Sequence, residues 1–173
     1  DHVNNRVQKF TKDGKFIASF GGETDDHDSL DLPWGLTVAS DSCVYVADWA
    51  NHRVSKYSGS GDFIRTFGTP GKGAGQFINP SSVAVDDSGY IYVADWGNER
   101  VQVLDQDGEF VTKLRGAATT SKWAQEFLDA NNEEAEPRSR SNMEPDLSPF
   151  GGDPHEESAH TEKFFWGPTS VKL

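Results

Sequence analysis

Cysteine is nearly absent from this chain. Among 173 residues there is one, Cys43, which can neither close an internal disulfide nor build a cysteine metal site. Long apolar runs are missing too. No stretch approaches the roughly 18 consecutive apolar residues of a membrane-spanning helix, and mean hydropathy is -0.66. Basic residues are few, with Lys+Arg 16 against Asp+Glu 28 and a formal net charge of -12. Nucleic acid and anionic membrane surfaces both attract basic protein, so neither is an expected partner. The first residues, Asp1-His2-Val3-Asn4, show no signal-peptide pattern.

What the chain does have is a repeat. Val44-Tyr45-Val46-Ala47-Asp48-Trp49 returns 47 residues later as Ile91-Tyr92-Val93-Ala94-Asp95-Trp96. The same spacing links Pro33 to Pro80, Arg53 to Arg100 and Gly61 to Gly108, and residues 30–68 align without a gap on 77–115 with 12 identities. It reaches backward, where Asp1-x-x-Asn4-x-Arg6 matches Asp48-x-x-Asn51-x-Arg53. It reaches forward past a break, where Phe165-Trp166-Gly167-Pro168 resembles Phe77-Ile78-Asn79-Pro80.

Each unit holds four short runs of β-branched and aromatic residues bounded by turn clusters such as Asp87-Ser88-Gly89 and Gln106-Asp107-Gly108. In the second unit these predict strands over about 81–86, 90–95, 100–104 and 109–114. Four strands per 40–50 residues, repeated, is the pattern of propeller blades, which bury their faces against one another. Residues 80–103, Pro-x-x-Val-Ala-Val-Asp-x-x-Gly-x-Ile-Tyr-Val-Ala-Asp-x-x-Asn-x-Arg-Val-Gln-Val, closely resemble the NHL repeat of six-bladed, TolB-like β-propellers. The resemblance covers 1–22, 30–118 and 164–173. It implies an all-β propeller of four-stranded antiparallel blades in an incomplete ring, with one inserted helical or disordered segment.

The expected organisation has blades over 1–118: a partial one in 1–22, with strands at about 5–10 and 15–20, and full ones at about 30–68 and 77–116. An acidic insertion follows over 119–163, and 164–173 is the first strand of the next blade. Inner strands are predicted to start at Trp34–Gly35, Ser81–Ser82 and Pro168–Thr169. Two blades and two partial ones do not close a ring. The edges are expected to meet missing blades of the same protein or a self-associated copy.

In an antiparallel meander the second-to-third loop and the entry to each inner strand emerge on one face, the top. Trp49 and Trp96 fall in the former, Trp34 and Trp166 at the latter, and Trp123 lies in the insertion that leaves from the top. Trp49 and Trp96 recur at one register, which suits packing between blades as well as recognition; Trp34 and Trp166 suit a surface or channel-mouth role. Indole offers broad contact area and one donor.

The repeated motif Asp48, Asn51, Arg53 and Asp95, Asn98, Arg100 is read as structural. The Asp would accept loop N–H groups, and the Arg would reach a carboxylate on a neighbouring loop or blade. Asp25-Asp26-His27-Asp28 reads as a solvated acidic loop rather than a cation site. His52, His155 and His160 show no ligand spacing, so no metal and no cofactor are expected.

The insertion carries 11 acidic and 4 basic residues. Ser121–Ala130 is predicted to form a short helix, docking by Trp123 and Phe127, and the Pro-rich remainder reads as a dispensable decoration or a partial lid.

The leading expectation is a non-catalytic scaffold that binds a protein, peptide or glycan on its Trp-rich top face. Neither a nucleophile elbow nor a phosphate-cradling Gly loop is found, and Gly71-Lys72-Gly73-Ala74-Gly75 precedes a strand rather than a helix. The resemblance also admits a metal-dependent hydrolase or lyase, gluconolactonase-like or peptide-amidating lyase-like, with its ligands in missing blades. The inner strands Leu36–Ala39 and Ser82–Val85 contain no carboxylate or His. RNA binding, known for some animal NHL proteins, suits a basic surface rather than this acidic one.

Overall fold

The computed structural model describes residues 1–22, 29–114, 130, 131 and 168–173. Within these the chain runs β1 (Val7–Phe10), β2 (Phe16–Phe20), β3 (Pro33–Val38), β4 (Val44–Asp48), β5 (Arg53–Tyr57), β6 (Phe63–Phe67), β7 (Thr69–Pro70), β8 (Gln76–Phe77), β9 (Pro80–Val85), β10 (Ile91–Asp95), β11 (Arg100–Leu104) and β12 (Phe110–Leu114). Two four-stranded antiparallel meanders, β3-β4-β5-β6 and β9-β10-β11-β12, stand beside the two-stranded pair β1-β2. No helix among the described residues is long and apolar enough to cross a membrane.

The 47-residue period of the sequence returns as geometry. The third and fourth strands of each unit are joined by a turn closed at Gly14, Gly61 and Gly108, with φ of 79°, 102° and 90°. A side chain would strain that conformation. Just before each turn the pairing slips by one residue, at Lys9/Phe10, Lys56/Tyr57 and Val103/Leu104. Such bulges increase local twist, which suits sheets that must fan around an axis.

Strand β4 shows why both faces of a sheet can be apolar. Side chains alternate in direction along a strand. Tyr45 packs into one core with Val54, Phe67, Phe77, Val83, Ile91, Val93 and Leu104, between the two full sheets. Val44 and Val46 go to the opposite core with Leu30, Tyr57, Val7 and Phe20, against β1-β2. The closest approach of the sheets is at their inner strands. A Cβ on Gly35 would stand 2.6 Å from the Ser81 carbonyl oxygen and 2.8 Å from Ser82 Cα, so only glycine fits.

The ring is incomplete, and β3 shows its open side. Trp34, Leu36 and Val38 are 59%, 51% and 61% exposed, whereas Ser81 and Val83, 47 residues on from Trp34 and Leu36, are buried beneath the preceding sheet. A groove of about 220 Å³ lies there, lined by Arg6, Gln8, Phe10, Trp34, Leu36 and Val46 among others.

The expected first strand of the next blade, over 164–173, shows no pairing in its described part. Residues 168–173 carry no strand. They lie along β9, where Ser81 Oγ donates to the Pro168 carbonyl at 2.5 Å and Val171 N–H donates to Ser82 Oγ at 3.3 Å. A strand needs a hydrogen-bonded neighbour in its own sheet, and this segment has none among the described residues. The insertion, its predicted helix and residues 164–167 lie outside the described residues, apart from Ala130 and Asn131.

Candidate recognition face

The pairing register puts the start of β3 beside the end of β4, Pro33 opposite Asp48, and the start of β9 beside the end of β10, Pro80 opposite Asp95. Trp34, Trp49 and Trp96 therefore emerge on one face. They meet there. Trp34 stacks on Trp49 with ring centroids 4.7 Å apart and planes at 30°. Trp49 meets Trp96 across the boundary between the two sheets at 5.0 Å and 46°. At the other end His2 approaches Trp34 at 5.9 Å and 58°. Four rings thus form one stripe, with Trp34 exposed and Trp49 and Trp96 half-buried. Offset and tilted pairs at these separations are the attractive arrangements of aromatic rings.

Sequence reading placed three of these indoles on the face but missed His2. The signal was present: His2, Trp49 and Trp96 stand 47 residues apart, though the change of residue type hides the match. Trp123 and Trp166 lie outside the described residues, as do Asp25–Asp28, His155 and His160.

Beneath the stripe the Asp-x-x-Asn-x-Arg motif forms a clamp at the top of each sheet. Asp95, fully buried, accepts from the Ile78 N–H at 2.8 Å, Asn98 Nδ2 at 2.8 Å and Arg100 Nε at 2.8 Å. Arg100 then spans the Gly-rich connection, donating to the carbonyls of Lys72, Gly73 and Gln76, each at 2.8 Å. Asn98 Nδ2 also donates to the Gly71 carbonyl. Asp48 repeats the pattern with the Asp31 N–H at 2.7 Å, Asn51 Nδ2 at 3.0 Å and Arg53 Nε at 2.8 Å, and Arg53 reaches the Ser29 carbonyl. In the partial unit Asp1 accepts from Asn4 and Arg6. The arginine's carboxylate is thus the Asp of its own motif, not one on a neighbouring loop or blade; Arg53 and Arg100 also donate to backbone carbonyls. The five-residue separation brings the guanidinium back across the strand–loop–strand corner to its own Asp.

Burial pushes the Asp95 carboxyl above its ordinary range, against the lowering effect of the Ile78 N–H, Asn98 and Arg100. Asp95 and Arg100 are committed to these bonds. No group of three or more His, Cys, Asp or Glu among the described residues is arranged to hold a metal ion.

Stacked four-stranded meanders around an axis, with the clamp at the head of each sheet, define a β-propeller. The model of the family described as 6-bladed beta-propeller matches residues 23–125, more than half of the chain, and the chain belongs to that family. Similar solved structures include a streptogramin B lyase, at 19% identity over 69% of this chain and 37% of the other, with a TM-score of 0.51. Others are a catalytically inactive virginiamycin B lyase from Staphylococcus aureus with quinupristin (17%, 70% and 36%, 0.49) and a luciferin-regenerating enzyme (16%, 63% and 36%, 0.48). At these identities the likeness is one of fold. This chain spans little more than a third of the length of each. No curated protein matches the sequence.

Proposed function

We propose that the protein is a non-catalytic recognition module, binding a protein, peptide or glycan on the aromatic stripe at the head of its sheets. The observation that supports this reading is the stripe itself. Trp34 stacks on Trp49 at 4.7 Å, and Trp49 meets Trp96 across the boundary between the two sheets at 5.0 Å. A row of stacked indoles held at the head of rigid sheets offers contact area at little conformational cost, as the anchors of binding surfaces do.

The test is to screen the protein and Trp34→Ala against peptide and glycan arrays and to follow thermal unfolding of both. The expected outcome is loss of the wild-type hits, with stability lowered by only about 1 kcal/mol, the worth of an aromatic pair. Unchanged hits with a loss of ~3–5 kcal/mol, the cost of removing a core aromatic, would make Trp34 a packing residue and end the proposal.

A further inference from the structure

Among the described residues, the two boundaries between neighbouring sheets are crossed at the same place by a bond of the same kind. Asn5, His52 and Glu99 stand 47 residues apart, each two residues or fewer before the third strand of its unit. All three are left-handed, with φ of 52°, 53° and 52°. Across the boundary stand Leu32 and Asn79, also 47 apart and also left-handed, with φ of 48° and 50°. Leu32 N–H donates to Asn5 Oδ1 at 2.9 Å. Asn79 N–H donates to His52 Nδ1 at 3.0 Å.

The two latches differ in one respect. An amide oxygen accepts at every pH. A ring nitrogen accepts only while it carries no proton. A backbone N–H can only donate, so in this contact Nδ1 of His52 is the acceptor. Histidine is also the side chain whose charge changes between about pH 5 and 8. Protonation would set an N–H against an N–H.

The second latch is tied to the aromatic stripe. Asn79 Nδ2 donates to the Trp49 carbonyl at 3.3 Å, and Trp49 meets Trp96 across this same boundary. The charged groups on the surrounding elements are Asp31, Asp48 and Arg53 on the side of His52, and Lys72, Asp95, Glu99 and Arg100 on the side of Asn79. Asp48–Arg53 and Asp95–Arg100 are ion pairs at 2.8 Å.

We propose that His52 is a pH-sensitive latch on the recognition face. It is closed when the ring is neutral and released on acidification, freeing the loop that carries Trp49 from the next sheet. That the latch regulates binding rests on the recognition reading of the stripe; the latch itself does not.

The experiment is amide hydrogen exchange by NMR on the protein without ligand, from pH 8 to pH 5, corrected for the intrinsic pH dependence of exchange. The Leu32 amide, bonded to Asn5, serves as internal reference. In the wild type, protection of the Asn79 amide is expected to fall about tenfold relative to Leu32, the factor for one hydrogen bond. In His52→Asn, which installs at this boundary the acceptor that Asn5 provides at the other, the ratio is expected to stay constant. Asparagine tolerates the left-handed conformation, so this variant keeps the fold. An Asn79 amide that follows Leu32 in the wild type, or that loses protection equally in His52→Asn, would overturn the latch. Because no ligand enters, failure of the recognition proposal leaves this result standing.

Discussion

The two copies of the Asp–Arg clamp are alike in pattern and unlike in burial. The Arg100 side chain is 3% exposed and that of Arg53 is 19% exposed. Breaking a buried ion pair by removing one partner commonly costs ~3–5 kcal/mol, because the remaining charge is stranded away from water. Asp95→Asn is therefore expected to cost about that much in urea unfolding, and Asp48→Asn distinctly less, since water reaches Arg53. An equal or reversed order would show that burial of the guanidinium does not set the cost. The sign of the pH dependence at Asp95 follows from its burial. Its folded value lies above the ordinary 3.8, so the stability tied to its protonation is complete below that value and is lost as pH rises through the folded one. Acidification from neutrality does not weaken the fold through this residue.

At the scale of the strand, the inner edges of the sheets set how closely neighbours stack. Gly35 meets backbone-bound atoms of Ser81 and Ser82 that cannot swing aside. Gly35→Ala is expected to lower stability by roughly 1–3 kcal/mol, as overpacking does. Gly22→Ala, where nothing stands within 4 Å of the added carbon, is expected to stay within ~0.5 kcal/mol. Thermal unfolding of the pair decides it, and similar melting temperatures would remove the close approach as a constraint. Strand positions themselves were legible in the sequence because alternation and turn residues act locally: Ile91–Asp95 and Arg100–Leu104 fall where the repeat put them. The segment 168–173 carries no strand among the described residues for the complementary reason. Its sequence has the pattern, but a ladder requires a partner, and pairing is not a local property.

For the whole molecule, the uncovered side of β3 matters most. Leu36 and Val38 are half or more exposed and contiguous with Trp34, an apolar patch of the kind that drives association. The polypeptide of 173 residues is expected to self-associate with rising concentration in sedimentation velocity, and Leu36→Lys with Val38→Lys to suppress this while leaving the far-UV circular dichroism intact. A wild type monomeric at all concentrations would show the face to be harmless. Replacing residues 131–159 by a short Gly/Ser linker is expected to shift stability by about 1 kcal/mol or less, since closure cost grows only logarithmically with loop length. A collapsed melting temperature would make that acidic segment structural.

The sequence by itself determined the repeat, the meander and the face on which Trp34, Trp49 and Trp96 emerge, because periodicity and turn chemistry are written in neighbouring residues. It also marked the Asp-x-x-Asn-x-Arg motif as structural, since a residue that recurs in every unit answers to what every unit shares. Only the tertiary structure decided which groups meet across a boundary. Asn5 and His52 do one job with different chemistry, so no identity match joins them. His2 extends a row of indoles that its own sequence context does not suggest. Those contacts depend on how closely two sheets stack and how each loop is turned. Distances of a few ångströms between residues 27 or more apart are fixed by packing, not by local pattern.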